Sequence, residues 1–232
     1  MKVLGLDTST KICSLALIED GDLLGEISLG GYNYASEKLV DLIGYLLNGL
    51  ALKLDDIDLI SVGVGPGSFT GIRIAVTVAK TLAQVKKIPI VATSSLKSLC
   101  FNSSFEGYIC ACVDARRQRV YRGIYKLKEK EITLVKDDEL INISDLKDEI
   151  LSLKEPCLLV SPDLCAIKDS LADLKSELVF AKFLNSKIRG SSIALAGFYN
   201  FNETGAQDLS EILPRYLNLS QAQREYLKKH GN

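Results

Sequence analysis

The residues whose types and spacing could do chemistry concentrate between Ile60 and Thr81, in ISVGVGPGSFTGIRIAVTVAKT. Gly65, Gly67 and Gly71 let backbone approach a ligand or another backbone closely. Ser68 or Thr70 can cap a following helix, and the free N–H groups of its first turn suit an anion. Two familiar phosphate patterns fail. A P-loop ends in Gly-Lys-Ser/Thr, whereas Gly71 is followed by Ile72 and Arg73, and Gly63, Gly65, Gly67 and Gly71 do not fall at G-x-G-x-x-G spacing. A tight structural turn and a ligand-touching turn both stay open.

Other chemistry is sparse. The one histidine, His230, lies in a charged tail and reads as solvated, so a histidine-held metal is excluded by composition. Six cysteines (Cys13, Cys100, Cys110, Cys112, Cys157, Cys165) sit mostly in apolar runs. Cys110 and Cys112 alternate on a strand and face one side, but no second pair completes a zinc set, and buried thiols are expected. Lys plus Arg number 28 against 29 acids, for a net charge of −1. That balance argues against a chain that grips nucleic acid alone. The densest basic stretch, Arg116, Arg117, Arg119 and Arg122, reads as a solvated hairpin edge or a nucleic-acid contact. No apolar run approaches membrane-spanning length and the chain begins in a strand, so a cytoplasmic protein with no membrane partner is expected.

The elements that would position these residues follow from periodicity. Ile60 to Val64 is a buried strand, and a helix begins near Phe69. Its polar side chains Arg73, Thr77, Lys80, Thr81 and Gln84 form one stripe, so the rest must be covered on more than one side. Gly71, Ala75, Ala79 and Ala83 give a flat small-residue face, suited either to the domain's own core or to a partner helix.

At 232 residues and 47% hydrophobic content the chain suits two compact lobes. Lys2 to Asp7, Cys13 to Glu19 and Leu23 to Leu29 read as a three-strand meander. A helix capped by Ser36, the central strand and helix, a strand at Ile88 to Ala92 and a helix from Ser95 to about Phe101 follow. After Asn102 to Ser104 the order begins again. Strands at Tyr108 to Asp114, Arg119 to Leu127 and Ile132 to Lys136 precede a helix capped by Ser144, a strand at Leu158 to Ser161, a helix from Asp163 to Leu174 and a strand at Leu178 to Ala181. Ser186 to Phe201 reads as a last helix. The expected division is 1–104 for the N-terminal lobe and 105–185 for the C-terminal lobe, with 186–232 packing back toward the N-terminal lobe. This α/β order is consistent with an actin-like ATPase (ribonuclease H-like) fold.

The segment GPGSFTGIRIA (Gly65 to Ala75) resembles the signature of the bacterial TsaB family, also called YeaZ. LGLDTST (Leu4 to Thr10), SEKLVDLI (Ser36 to Ile43), VDARRQRVY (Val113 to Tyr121) and PRYL (Pro214 to Leu217) agree with it. The resemblance implies a non-catalytic paralogue of the TsaD enzyme in the making of threonylcarbamoyladenosine beside the tRNA anticodon. The implied partners are a TsaD-like transferase, a TsaE-like ATPase joining through the complex, a second copy when alone, and tRNA only through the complex. On the implied interface the first two helices would contribute Leu39, Leu42, Ile43, Leu46, Ile72, Ala75, Val76, Ala79 and Ala83.

Against that family, Ala35 to Leu39 lacks the two histidines by which the catalytic paralogue holds its metal. Actin-like ATPases bind phosphate with Asp-x-Gly turns, and here the equivalents read Asp7-Thr8-Ser9 and Asp114-Ala115-Arg116. Asp7, Ser9, Gly65, Gly67, Ser68, Thr70, Gly71 and Arg73 therefore make a candidate nucleotide or turn site. No cofactor is expected, with ATP or ADP admitted only at an interface shared with the partner. The competing readings are a sugar-kinase-like phosphotransferase on the same fold and a peptidase. Each needs a phosphate cradle, a metal or an activated nucleophile that the sequence does not assemble.

Overall fold

The computed structural model describes residues 1–30, 34–129, 131–174 and 176–218. Strands β1 (Lys2–Asp7), β2 (Ile12–Glu19) and β3 (Asp22–Gly30) form an antiparallel meander. Helix α1 (Tyr34–Gly49), β4 (Leu59–Gly63), α2 (Phe69–Lys86), β5 (Ile90–Thr93) and α3 (Ser95–Cys100) complete the first unit. In the second, β6 (Gly107–Asp114), β7 (Arg119–Lys128) and β8 (Glu131–Asn142) are followed by α4 (Ile143–Ser152), β9 (Cys157–Val160), α5 (Leu164–Ile167) and β10 (Leu178–Phe180). Helix α6 (Gly190–Thr204) is the last helix among the described residues.

Both sheets have five strands and the same topology, β3-β2-β1-β4-β5 and β8-β7-β6-β9-β10. In each, the opening strand pairs antiparallel with the second and parallel with the fourth. The parallel central strands are largely apolar, as a sheet covered on both faces requires, and β4 is buried at every residue. On the first sheet α1 and α2 cover one face, with Leu4, Leu6, Leu15, Leu39, Ile72 and Ala79 in a common core. Helix α6 covers the other face, packing on β1, β2 and β4. It is tied down where the Ser61 hydroxyl donates to the Ile193 carbonyl at 2.7 Å. Helix α6 therefore returns to the first lobe.

Some local expectations are corrected. Helix α1 opens at Tyr34, so Ser36 lies within it. Asn142 rather than Ser144 is the N-cap of α4. The expected helix from Asp163 to Leu174 breaks after α5 into a 3-10 turn at Asp169–Leu171, and the expected start of the last helix at Ser186 is the end of another, Phe183–Ser186. Strand β8 runs to Asn142, well past Lys136. His230 and the tail from Gln221 lie outside the described residues.

Five cysteines are buried and Cys165 is exposed. Burial pushes the Cys13 thiol up to about 11 and that of Cys157 up to about 12, so both are unreactive. Arg122 corrects the reading of a solvated basic hairpin. It is 1% exposed, and its guanidinium donates to the Asp137 carbonyl at 2.7 Å, Glu149 at 2.7 Å and Glu139 at 3.0 Å. Arg122 is therefore unavailable to tRNA.

Candidate functional site

The glycine-rich turn between β4 and α2 lies against the turn that follows β1. Gly65 has φ +93°, a conformation that side chains rarely adopt, and is joined to Pro66 by a cis peptide bond. Ser68 caps α2, accepting from the Gly71 N–H at 3.3 Å. The Ser68 N–H donates to the Ser9 carbonyl at 2.6 Å, and the Thr8 hydroxyl donates to the Gly71 carbonyl at 2.5 Å. A Cβ on Gly71 would stand 1.8 Å from the Thr8 carbonyl oxygen, so only glycine permits this contact. The turn makes a joint between β1 and α2: Gly67 and Gly71 lie against the Ser9 and Thr8 carbonyls, and Thr8 and Ser9 bond to the turn from the other side.

Asp7 lies beneath that joint, fully buried. Its Oδ1 accepts from the Ser9 N–H at 2.8 Å and the Ser9 hydroxyl at 2.7 Å, and its Oδ2 accepts from the Ser95 hydroxyl at 2.6 Å. Burial raises its carboxyl above the usual carboxylate range, against the opposing pull of the hydrogen bonds from Ser95 and Ser9. Ser95, 88 residues away, escaped the sequence reading because nothing local links it to Asp7.

Between the lobes a cavity of about 520 Å³ opens above the joint. Thr8, Ser9, Thr10, Lys11, Gly67, Ser68, Thr70, Gly71 and Ile74 line it from the first lobe. Val113, Asp114, Ala115, Arg116, Tyr121 and Asp163 line it from the second. Five of the eight candidate turn residues thus reach one cavity, while Asp7 and Gly65 lie outside its lining. Arg73 points elsewhere: its guanidinium lies 3.8 Å from the centre of the Phe69 ring, and its Nε donates to the Tyr216 hydroxyl at 2.6 Å. Among the described residues no group of three or more His, Cys, Asp or Glu side chains is placed to hold a metal ion.

The expected interface residues need a correction. Leu39, Ile43, Leu46, Ile72, Ala75, Val76, Ala79 and Ala83 are all under 9% exposed, and Leu42 is half-buried. The small-residue face of α2 packs into its own lobe, so the eight buried side chains face their own core, and of the expected set Leu42 alone stays partly open. What α1 and α2 leave open is a neighbouring apolar strip. Leu42, Ile74, Val78 and Leu82 are half-buried, while Tyr45 and Val85 are 74% and 71% exposed.

Two sheets of one topology, joined across a cleft, define an actin-like fold, and a ROK hexokinase of Thermus thermophilus shares it at a TM-score of 0.50 over 88% of this chain and 100% of that one, with 10% identity. Residues 33–228 match the family model of TsaD, tRNA N6-adenosine threonylcarbamoyltransferase. A Bacillus subtilis protein named tRNA threonylcarbamoyladenosine biosynthesis protein TsaB is 31% identical over 98% of this chain and 99% of its own. A crystal structure described as an uncharacterized protein with similarity to peptidase YeaZ from Pseudomonas aeruginosa superposes with a TM-score of 0.78 at 25% identity, covering 94% of this chain and 99% of that one. The chain belongs to the TsaB (YeaZ) family, within the wider group that the TsaD model describes.

Among the described residues no helix is long and apolar enough to cross a membrane.

Proposed function

We propose that this protein takes part in the biosynthesis of threonylcarbamoyladenosine in tRNA as a non-catalytic subunit that binds and activates a TsaD-like transferase. The observation that carries the non-catalytic part is the joint at Asp7. Its carboxylate is spent on Ser9 and Ser95, and the glycine turn is spent on Thr8 and Ser9. A phosphate or metal would have to displace hydrogen bonds that hold two elements together, each costly to leave unmade in the interior. A sugar-kinase reading needs that carboxylate free as a base or metal ligand, and a peptidase reading needs an activated nucleophile; neither is served by this geometry.

The docking surface on this reading is the strip of Leu42, Tyr45, Ile74, Val78, Leu82 and Val85 on α1 and α2, which also serves a second copy when the partner is absent. A TsaE-like ATPase and tRNA join through the complex, in the cytoplasm, and any nucleotide is held at the shared interface. Tyr45 is the natural anchor, since exposed aromatic side chains dominate association energies. In a reaction with the TsaD-like partner, tRNA and a threonylcarbamoyl donor, Tyr45→Asp is expected to lower modified-adenosine yield and partner affinity by about tenfold or more with an unchanged melting curve. ATP hydrolysis above the blank by the isolated chain, or tRNA modification without the partner, would overturn the proposal.

A further inference from the structure

The motif Pro214 to Leu217 is not used by the docking strip or by the joint. After α6 the chain runs back along the first lobe. The Gln207 N–H donates to the Ile90 carbonyl at 3.0 Å and its side-chain oxygen accepts from the Ala92 N–H at 2.6 Å. Ile212 is fully buried in the core beneath α2, and Lys80 of α2 donates to its carbonyl at 3.2 Å. The Arg215 N–H then donates to the Val64 carbonyl at 2.8 Å, directly before the glycine turn. Tyr216 packs its ring 4.5 Å from that of Phe69 and accepts from Arg73. From Gln207 to Tyr216 the segment is fastened to the first lobe at every few residues.

The Arg215 side chain leaves that lobe and reaches the second. Its two terminal nitrogens donate to Asp137 at 2.7 Å and to Asp138 at 3.1 Å, both on β8. Asp138 is 2% exposed and is the centre of a knot: Ser94, the N-cap of α3, donates to its Oδ2 at 2.6 Å, and the Tyr125 hydroxyl donates to its Oδ1 at 2.6 Å. A forked guanidinium matched to two adjacent carboxylates is specific in direction as well as strong. Without Arg215 the buried Asp138 would lose the cation bonded to it, and Asp137 would lose its ion-pair partner.

We infer that residues 207–216 form a strap whose Arg215 latches β8 of the second lobe to the first, fixing the angle between the lobes across the cleft. In this fold the lobes are joined at α3, whose Leu96 and Leu99 share a core with Ile109 and Val113 of β6. An apolar contact of that kind tolerates rotation, whereas a directed ion pair does not. The latch holds the cleft at one width with no bound ligand needed to close it. Arg73, expected from sequence at the turn site, serves instead to hold the strap through Tyr216.

The test uses the full chain and the exposed Cys165 of the second lobe as one dye position, with Asn48→Cys at the exposed end of α1 as the other. Energy transfer between the dyes is expected to report one narrow distance in the otherwise native chain and a broadened or shifted one in Arg215→Ala. Amide exchange along 207–216, including the residue-215 N–H that donates to the Val64 carbonyl, is expected to accelerate about tenfold or more. Arg215→Lys, which keeps the charge but not the fork, is expected to restore part of the effect. An unchanged distance distribution and unchanged exchange in a folded Arg215→Ala chain would overturn the latch. Should that variant fail to fold, Arg215→Gln, which removes the charge from both ion pairs and keeps much of the side chain's length, decides alone: a broadened distance supports the latch and a native one refutes it.

Discussion

The two lobes open on the same device and finish it differently. At the end of β1 the Ser9 N–H donates to Asp7 at 2.8 Å, and at the end of β6 the Arg116 N–H donates to Asp114 at 2.8 Å. Each is a carboxylate turning its own backbone two residues on. In the first lobe an 18-residue helix follows the fourth strand, and its glycine turn seals the carboxylate away from water. In the second lobe the corresponding helix, α5, has four residues and Asp114 stays partly open beside the cavity. The next three residues of that turn, Arg116, Arg117 and Gln118, all carry positive φ values near +60°. One topology used twice thus gives a rigid platform on one side and a looser rim on the other. The platform is the half with two long helices, which is where a docking surface needs to be preorganised.

The sharpest way to break this comparison is to place the same substitution on both helices. Ala79→Arg on α2 puts a charge and a long side chain at a position with no exposure, and it is expected to cost on the order of 4 kcal/mol or more, enough to unfold a marginal domain. Ala166→Arg on α5 is at an exposed position and is expected to change stability by less than about 0.5 kcal/mol. Thermal melts followed by circular dichroism separate the two. The small-residue stripe in the sequence admitted either the domain's own core or a partner helix, and the burial of Ala79 makes loss of folding the expected outcome. Equal tolerance at both positions would show that the lobes do not differ in rigidity.

Gly71→Ala sharpens the same contrast at a single carbon. The added Cβ meets the Thr8 carbonyl oxygen, which is fixed by a chain that cannot move without releasing Asp7. The expected cost is about 3 kcal/mol, read from urea midpoints, although alanine is the better helix former. A more stable Gly71→Ala chain would show that the joint is soft.

The order of strands and helices was legible because alternation, apolar runs and turn residues change at each boundary. Ser68 could be read as a cap from local chemistry alone. What stayed illegible depends on contacts far apart in sequence. A stripe of Gly71, Ala75, Ala79 and Ala83 says that something packs closely there, but a sheet of the same lobe and a helix of another protein leave the same pattern. The helix read from Asp163 to Leu174 fails because Ile167, Leu171 and Leu174 suit a broken 3-10 turn as well as a continuous α-helix. Arg122 did carry a signal that was passed over. It shares strand parity with Val120 and Ile124, both buried, so an inward-facing arginine with acidic partners followed from the period of two. Arg215 and Asp138 are 77 residues apart, and no local pattern joins them.

A smaller effect than that at Gly71 is expected at Asp7, and it tests what kind of turn this is. Asp7→Asn keeps the shape of the side chain and replaces one acceptor by a donor toward Ser95, a change of about 1 kcal/mol in hydrogen bonding at any one pH. The informative quantity is how the gap between variant and native changes with pH. Burial raises the folded-state pKa of Asp7 above its unfolded value near 3.8, so the folded state holds its proton longer than the unfolded state does. Stability from that proton is fully present below the unfolded pKa and is lost as pH rises through the folded pKa. Asparagine has no such proton to lose. The stability of Asp7→Asn minus that of the native chain is therefore expected to rise from acid pH toward neutrality and then level off, in urea titrations at a series of pH values. A gap that instead falls with pH would mean that the carboxylate is held in its charged form by a nearby cation. That result would turn the joint back into a ligand site and remove the main difference between the two lobes.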